Sequence, residues 1–104
     1  MIVPDAAHHL KVPVVRRQVY TLYLEQATAD HTFIHCDVHG TWTPRTKRDL
    51  AADWQTLQAL HGGPLYAMHT PGDHKHLKFL SMFGFRRAAS FTDTLGRPME
   101  IHHT

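Results

Sequence analysis

His35, Asp37 and His39 stand two residues apart, a spacing that turns all three side chains to one face of an extended chain. A histidine beside an aspartate can move protons, which makes His35, Asp37 and His39 the candidate catalytic residues. Two histidines and a carboxylate can also hold zinc or iron. Neighbouring Cβ atoms on one strand face lie about 6.5–7 Å apart, so three in a row converge poorly on one ion. A second element would have to help, with His69 as the candidate. The plainer reading is a polar strand face at a groove or a partner surface. Neither an H-E-x-x-H string nor paired cysteines occur, so no metal site is expected. Cys36 alternates with Ile34 and Val38 and is expected to be buried and inert.

The elements that would position these residues follow from patterning. Thr32 to His39 alternates apolar and polar and reads as a strand ended by Gly40. Thr43-Pro44 is an N-cap with proline in the first turn, and Leu50, Trp54, Leu57 and Leu60 recur at helical spacing up to Gly62-Gly63. Leu50, Trp54 and Leu57 read as core, whereas Trp42, beside the turn, is a candidate interface residue. Leu65 to His69 is a short strand. Asp73 caps a second helix that Gly84 terminates with Phe85 behind it. Arg86–Thr92 and Met99–His102 form a hairpin through Asp93-Thr94-Leu95-Gly96. Upstream, Val15, Val19, Leu22 and Gln26 fall three or four apart, which favours a helix over 12–27 with Pro13 in its first turn. The β-branched and aromatic residues of that stretch leave a strand as the alternative. Strands separated by helices require parallel crossovers, and the closing pair must be antiparallel. The fold class is α/β: one compact domain over 1–104, a mixed sheet flanked by helices and ending in an antiparallel hairpin.

Composition narrows the class. The chain has 104 residues, 42% of them hydrophobic and 19% charged, values of a folded domain rather than a disordered tail. A net charge of +2 with dispersed lysines and arginines gives no nucleic-acid footprint. Eleven histidines make solubility and association sensitive to acidification. One cysteine excludes an internal disulfide, no signal-peptide layout opens the chain, and no apolar run reaches the roughly 20 residues of a membrane span. A cytoplasmic location is expected.

The stretch Asp73-His74-Lys75-His76-Leu77-Lys78-Phe79-Leu80-Ser81-Met82-Phe83-Gly84-Phe85 shares the frame N-x-x-A-x-x-x-Y-x-x-x-G-F. With the strand before it and the hairpin after it, it resembles the closing segment of the GNAT (N-acetyltransferase) superfamily. Asp73 stands at the asparagine, Leu80 at the tyrosine, and Gly84-Phe85 at the terminal pair. The resemblance implies an acetyl-CoA site between the strand 32–39 and the strand 65–69. Backbone groups around Asp37, Val38 and His39 would meet the thioester carbonyl. Arg45, Lys47 and Arg48 would meet phosphates, with Asp73 and Lys78 bordering the site from the last helix.

The departures from the family pattern carry their own implication. The phosphate loop Q/R-x-x-G-x-G/A is replaced by Gly40-Thr41-Trp42-Thr43-Pro44-Arg45, with no glycine inside the turn and a proline that removes one donor. Leu80 cannot donate a proton where the family often has tyrosine. The chain also starts too late for the family's usual N-terminal elements. These features imply a non-catalytic or weakly active binding module with a protein partner or self-association. Such short domains resemble those of tailed bacteriophages, as accessory, head-assembly or virion-associated proteins. The alternative is a small acyl-CoA-dependent N-acetyltransferase.

Overall fold

Residues 12–27, where periodicity favours a helix, form two antiparallel strands instead. The computed structural model describes residues 10–104, which build β1 (Lys11–Arg16), β2 (Tyr20–Thr28), β3 (His31–Val38), α1 (Pro44–His61), β4 (Tyr66–His69), α2 (His74–Met82), β5 (Arg86–Thr92) and β6 (Pro98–His103). The valines, tyrosines and threonine between positions 12 and 23 are stiff at χ1 and pack better on a pleated surface than on a helix. A turn closed by Arg17 N–H donating to Tyr20 O at 2.8 Å separates the two strands. The helix-like spacing of Val15, Val19 and Leu22 is therefore an accident of strand, turn and strand. Pro13 falls on β1, at the sheet's edge, where its missing donor costs least.

All six strands lie in one sheet, in the order β1-β2-β3-β4-β6-β5. β1, β2 and β3 form an antiparallel meander. The crossover through α1 makes β4 parallel to β3, and β6 inserts antiparallel between β4 and β5. Register pairs Tyr20 with Val38, Leu22 with Cys36 and Leu24 with Ile34, so these residues share a face. That face receives Leu50, Trp54 and Leu57 of α1, which join Tyr20, Leu22, Leu65, Ala67, Leu80 and Phe85 in one core. The two helices meet over it: Trp54 stacks on Phe85 with ring centres 5.1 Å apart, and its Nε1–H donates to Phe83 O at 3.0 Å. The opposite face carries Tyr23, Phe33, Tyr66 and Ile101, and neither helix of the described residues packs on it.

The helix ends are built as their sequences require. Thr43 Oγ1 accepts from Thr46 N–H at 3.1 Å, and Asp73 Oδ1 accepts from His76 N–H at 3.1 Å. After α2, Gly84 takes φ +86°, which lets Phe85 N–H reach back to Leu80 O at 3.0 Å and Gly84 N–H to Ser81 O at 3.2 Å. A side chain there would face the left-handed penalty, so this glycine sets where the helix stops and β5 begins.

One polar network ties the meander to α1. Asp53 accepts from Arg17 Nε and Nη2 at 2.8 and 2.7 Å and from the Tyr20 hydroxyl at 2.5 Å. The Arg17 fork holds the Asp53 carboxyl below the usual carboxylate range, with Tyr20 adding to the effect. Burial, then Asp53, pushes the Tyr20 phenol up. A carboxylate depressed in the fold contributes stability that is complete above its unfolded value of about 3.9 and is lost as pH falls through the folded value. Urea midpoints measured between pH 7 and pH 3 should thus fall more steeply for the natural chain than for Asp53→Asn. Equal slopes would show that the network adds nothing to acid stability.

Candidate functional site

β3 and β4 are paired at a single position, Phe33 with Tyr66. Beyond that pair the two parallel strands diverge, and a cleft of about 1090 Å³ opens between them beneath α1 and α2. Ile34, Cys36 and Val38 border it on one side and Ala67 on the other, while Leu50 and Trp54 of α1 and Phe79 of α2 close it from above. Trp42 reaches the cleft from the turn before α1, its ring centre 6.1 Å from that of Phe79, and forms an aromatic lip.

The backbone of β3 supplies the cleft with hydrogen-bonding groups. His39 N–H donates to Val19 O at 2.8 Å, on the β2 side. Alternation along the strand then turns the amides and carbonyls of Cys36 and Val38 to the opposite, open edge. Side chains add charge: Lys11, Lys47, Lys75 and Lys78 border the cleft together with Asp73. The Asp73 carboxylate is already engaged as the cap of α2.

Of the residues singled out from the sequence, Val38, Lys47, Asp73 and Lys78 border the cleft, as do His35 and Asp37. His39, Arg45 and Arg48 are not among its lining residues. His35, Asp37 and His39 do share a strand face, but it is the one turned away from the helices. There His35 Nε2 pairs with Glu25 Oε1 at 2.7 Å, and His39 Nε2 lies 3.2 Å from Thr21 Oγ1. The amide of His39, expected near a thioester carbonyl, is spent on Val19, which leaves that part to Cys36 and Val38. Burial, with Asp37 adding, pushes the Cys36 thiol up to about 11, so it is no thiolate nucleophile near neutrality. Leu80, at the tyrosine position, is in the core and offers no proton.

Phe79 also lines the cleft, as does Trp54, whose helical spacing alone places it in the core. Trp54 serves both purposes, because the cleft is an extension of the core where the sheet has parted. The signal for Phe79 was its position on α2 between Lys75 and Phe83, one turn from each, which places an aromatic ring on the same helix stripe as a cation.

No family model matches this chain and no curated protein matches it. Solved structures do resemble it. The Vibrio fischeri ribosomal-protein-S5-alanine acetyltransferase superposes with a TM-score of 0.59 at 15% identity, over 83% of this chain and 53% of that one. Mycobacterium smegmatis RimJ in complex with CoA-disulfide gives 0.60 at 18% identity, over 83% and 46%. The Escherichia coli ribosomal-protein-S18-alanine N-acetyltransferase gives 0.58 at 12% identity, over 92% and 68%. The chain thus spans about half the length of the first two. Among the described residues no helix is long and apolar enough to cross a membrane. A mixed six-stranded sheet that parts between its two parallel strands, with α1 and α2 over the gap, is a GNAT-like fold.

Proposed function

We propose that the chain is an acetyl-CoA-binding, acetyltransferase-like domain whose cleft takes the thioester arm. The observation that carries this reading is the single paired position between β3 and β4, which leaves backbone groups of β3 facing an open gap. An amide-bearing arm laid in that gap would pair with Cys36 and Val38 as an added strand does. Lys47, Lys75 and Lys78 would hold its phosphates, as point charges rather than as an amide cradle. The coenzyme A derivative bound by RimJ is compatible with this assignment.

Transfer to an amine forms a C–N bond at the thioester carbonyl, breaks the C–S bond and releases a proton and the thiolate. The arrangement positions the carbonyl but supplies no acid at Leu80. Loss of general-acid help costs about 10²–10⁴ in rate, so the domain turns over slowly. Thermal unfolding with acetyl-CoA tests the binding. Ligand at 100 times its Kd adds about 2.7 kcal/mol, which raises Tm by several degrees for a chain of this size. An unchanged Tm at millimolar acetyl-CoA, with no transfer of labelled acetyl groups, would rule the proposal out.

A second reading is a non-catalytic module that binds protein, including an assembly role of the kind tailed phages give to short GNAT-like domains. Its support is the helix-free sheet face, where Met68 and Phe91 remain exposed beside Phe33 and Tyr66. Light scattering distinguishes them: a concentration-dependent mass, abolished by Phe33→Ser, favours this reading.

A further inference from the structure

Away from the strand that bears His35 and His39, the fold gathers a different set of histidines. His69 is the last residue of β4, Glu100 and His102 lie on β6, and His76 is in the first turn of α2. Register pairs His69 with Glu100 and Ala67 with His102, so the three β residues point to the face that α2 covers. His76 comes down onto them from the helix: its Nδ1 is 2.9 Å from Nδ1 of His69, and the two rings stack with centres 5.1 Å apart. The ring of His102 meets that of His69 edge-on, also at 5.1 Å. One ligand atom each from His69, Glu100 and His102 fall within 4.8 Å of one another.

A hydrogen-bonded chain of side chains explains part of this arrangement and not the rest. His102 Nε2 lies 2.9 Å from Glu100 Oε1, so Nε2 carries the proton and donates it to the carboxylate. That leaves the lone pair on Nδ1 of His102, and this nitrogen is buried with no hydrogen-bond partner, in a residue only 3% exposed. A buried polar atom without a partner is destabilising unless something fills the place of that partner. A carboxylate on one imidazole nitrogen with the other nitrogen bare is the arrangement that outer carboxylates impose on metal-bound histidines.

We propose that His69, His76 and His102 bind a divalent transition-metal ion of the zinc type, with Glu100 as the residue that positions His102. Three imidazole nitrogens suit zinc, cobalt and nickel and not magnesium or calcium, which take oxygen. Ligand nitrogens around tetrahedral zinc lie about 3.3 Å apart, a separation that the His69–His76 pair already approaches at 2.9 Å. With His69 and His102 each 3% exposed, the ion is enclosed. It acts as a staple that fixes the start of α2, and therefore His76 and Lys78 of the cleft wall, to β4 and β6. This site does not depend on what the cleft binds.

The test uses the whole chain stripped with chelator and then titrated with Co²⁺ and Zn²⁺. One equivalent of Co²⁺ should give the intense visible absorption of a tetrahedral site, and Zn²⁺ should displace it and raise Tm. His76→Gln, only half-buried and expected to fold, should abolish the absorption. Glu100→Gln should keep it with affinity reduced by about 10–100-fold. With eleven histidines in the chain, adventitious surface binding needs its own control. His8→Ala/His9→Ala and His74→Ala/His103→Ala should leave the one-equivalent spectrum unchanged. A folded stripped chain that shows no such absorption overturns the proposal, as does a spectrum that survives in His76→Gln or disappears with either control pair.

Discussion

Trp54→Ala should lower stability by about 3–5 kcal/mol, the range for truncating a large buried aromatic. Three effects combine at this residue. The ring is 6% exposed and leaves a cavity between α1 and the sheet. Its stack on Phe85 is lost, and Phe83 O loses the indole N–H that it accepts. Both partners follow α2 in the chain, so the damage spreads to the seam between the helices and the position of β5. For a domain of about 100 residues, where 1 kcal/mol moves Tm by about 4–8 °C, the midpoint should drop by some tens of degrees. Trp54→Phe keeps most of the apolar area and loses chiefly the hydrogen bond, worth about 0.5–1.5 kcal/mol. Thermal and urea unfolding of the two variants gives the comparison. Similar losses in both would mean that the indole hydrogen bond, rather than packing, dominates.

Lys47→Glu/Lys78→Glu should weaken acetyl-CoA binding by about 100-fold at low salt and leave folding intact. Both residues are exposed and border the cleft from different helices, so neither carries packing. Reversing two charges changes the local balance by four units. At about 0.7 kcal/mol per unit in a surface groove this sums to about 2.8 kcal/mol, which corresponds to the stated factor at about 1.4 kcal/mol per tenfold. The loss should shrink toward 1 M salt, where the screening length is about 3 Å. Arg45→Glu/Arg48→Glu, whose residues lie outside the cleft lining, should cost far less. Calorimetric titration of both double variants at two salt concentrations checks the contrast. Equal losses would place the phosphates on the outer face of α1.

That contrast shows what the sequence made legible and what it did not. Thr43-Pro44, Asp73 and Gly84-Phe85 each declare a helix end through a local bond, and all three ends form where their residue types require. Leu50, Trp54 and Leu57 likewise fix which stripe of α1 meets the sheet. From that stripe Lys47 could have been separated from Arg45 and Arg48: Lys47, Leu50 and Trp54 lie three and four apart and follow one line along the helix toward the cleft. Residues 12–27 were harder, because two short strands and a turn reproduce helical spacing, and only the stiffness of their side chains argues otherwise. The strand-face grouping of His35, Asp37 and His39 was legible, but not which face meets the helices. Nothing local marks His69, His76 and His102 as neighbours either. Their meeting depends on β6 returning beside β4 and on α2 crossing above both, which is a property of topology and not of spacing.

The lone rung between Phe33 and Tyr66 divides the sheet into two plates of three strands, each made from a continuous stretch of chain. Every other rung lies within a plate. A small rotation about that rung therefore widens or narrows the gap without breaking a ladder elsewhere, and the resistance comes from the helices that span both plates. Side-chain packing at the Trp54–Phe85 contact therefore bears on the width of the gap, while the strand order stays fixed.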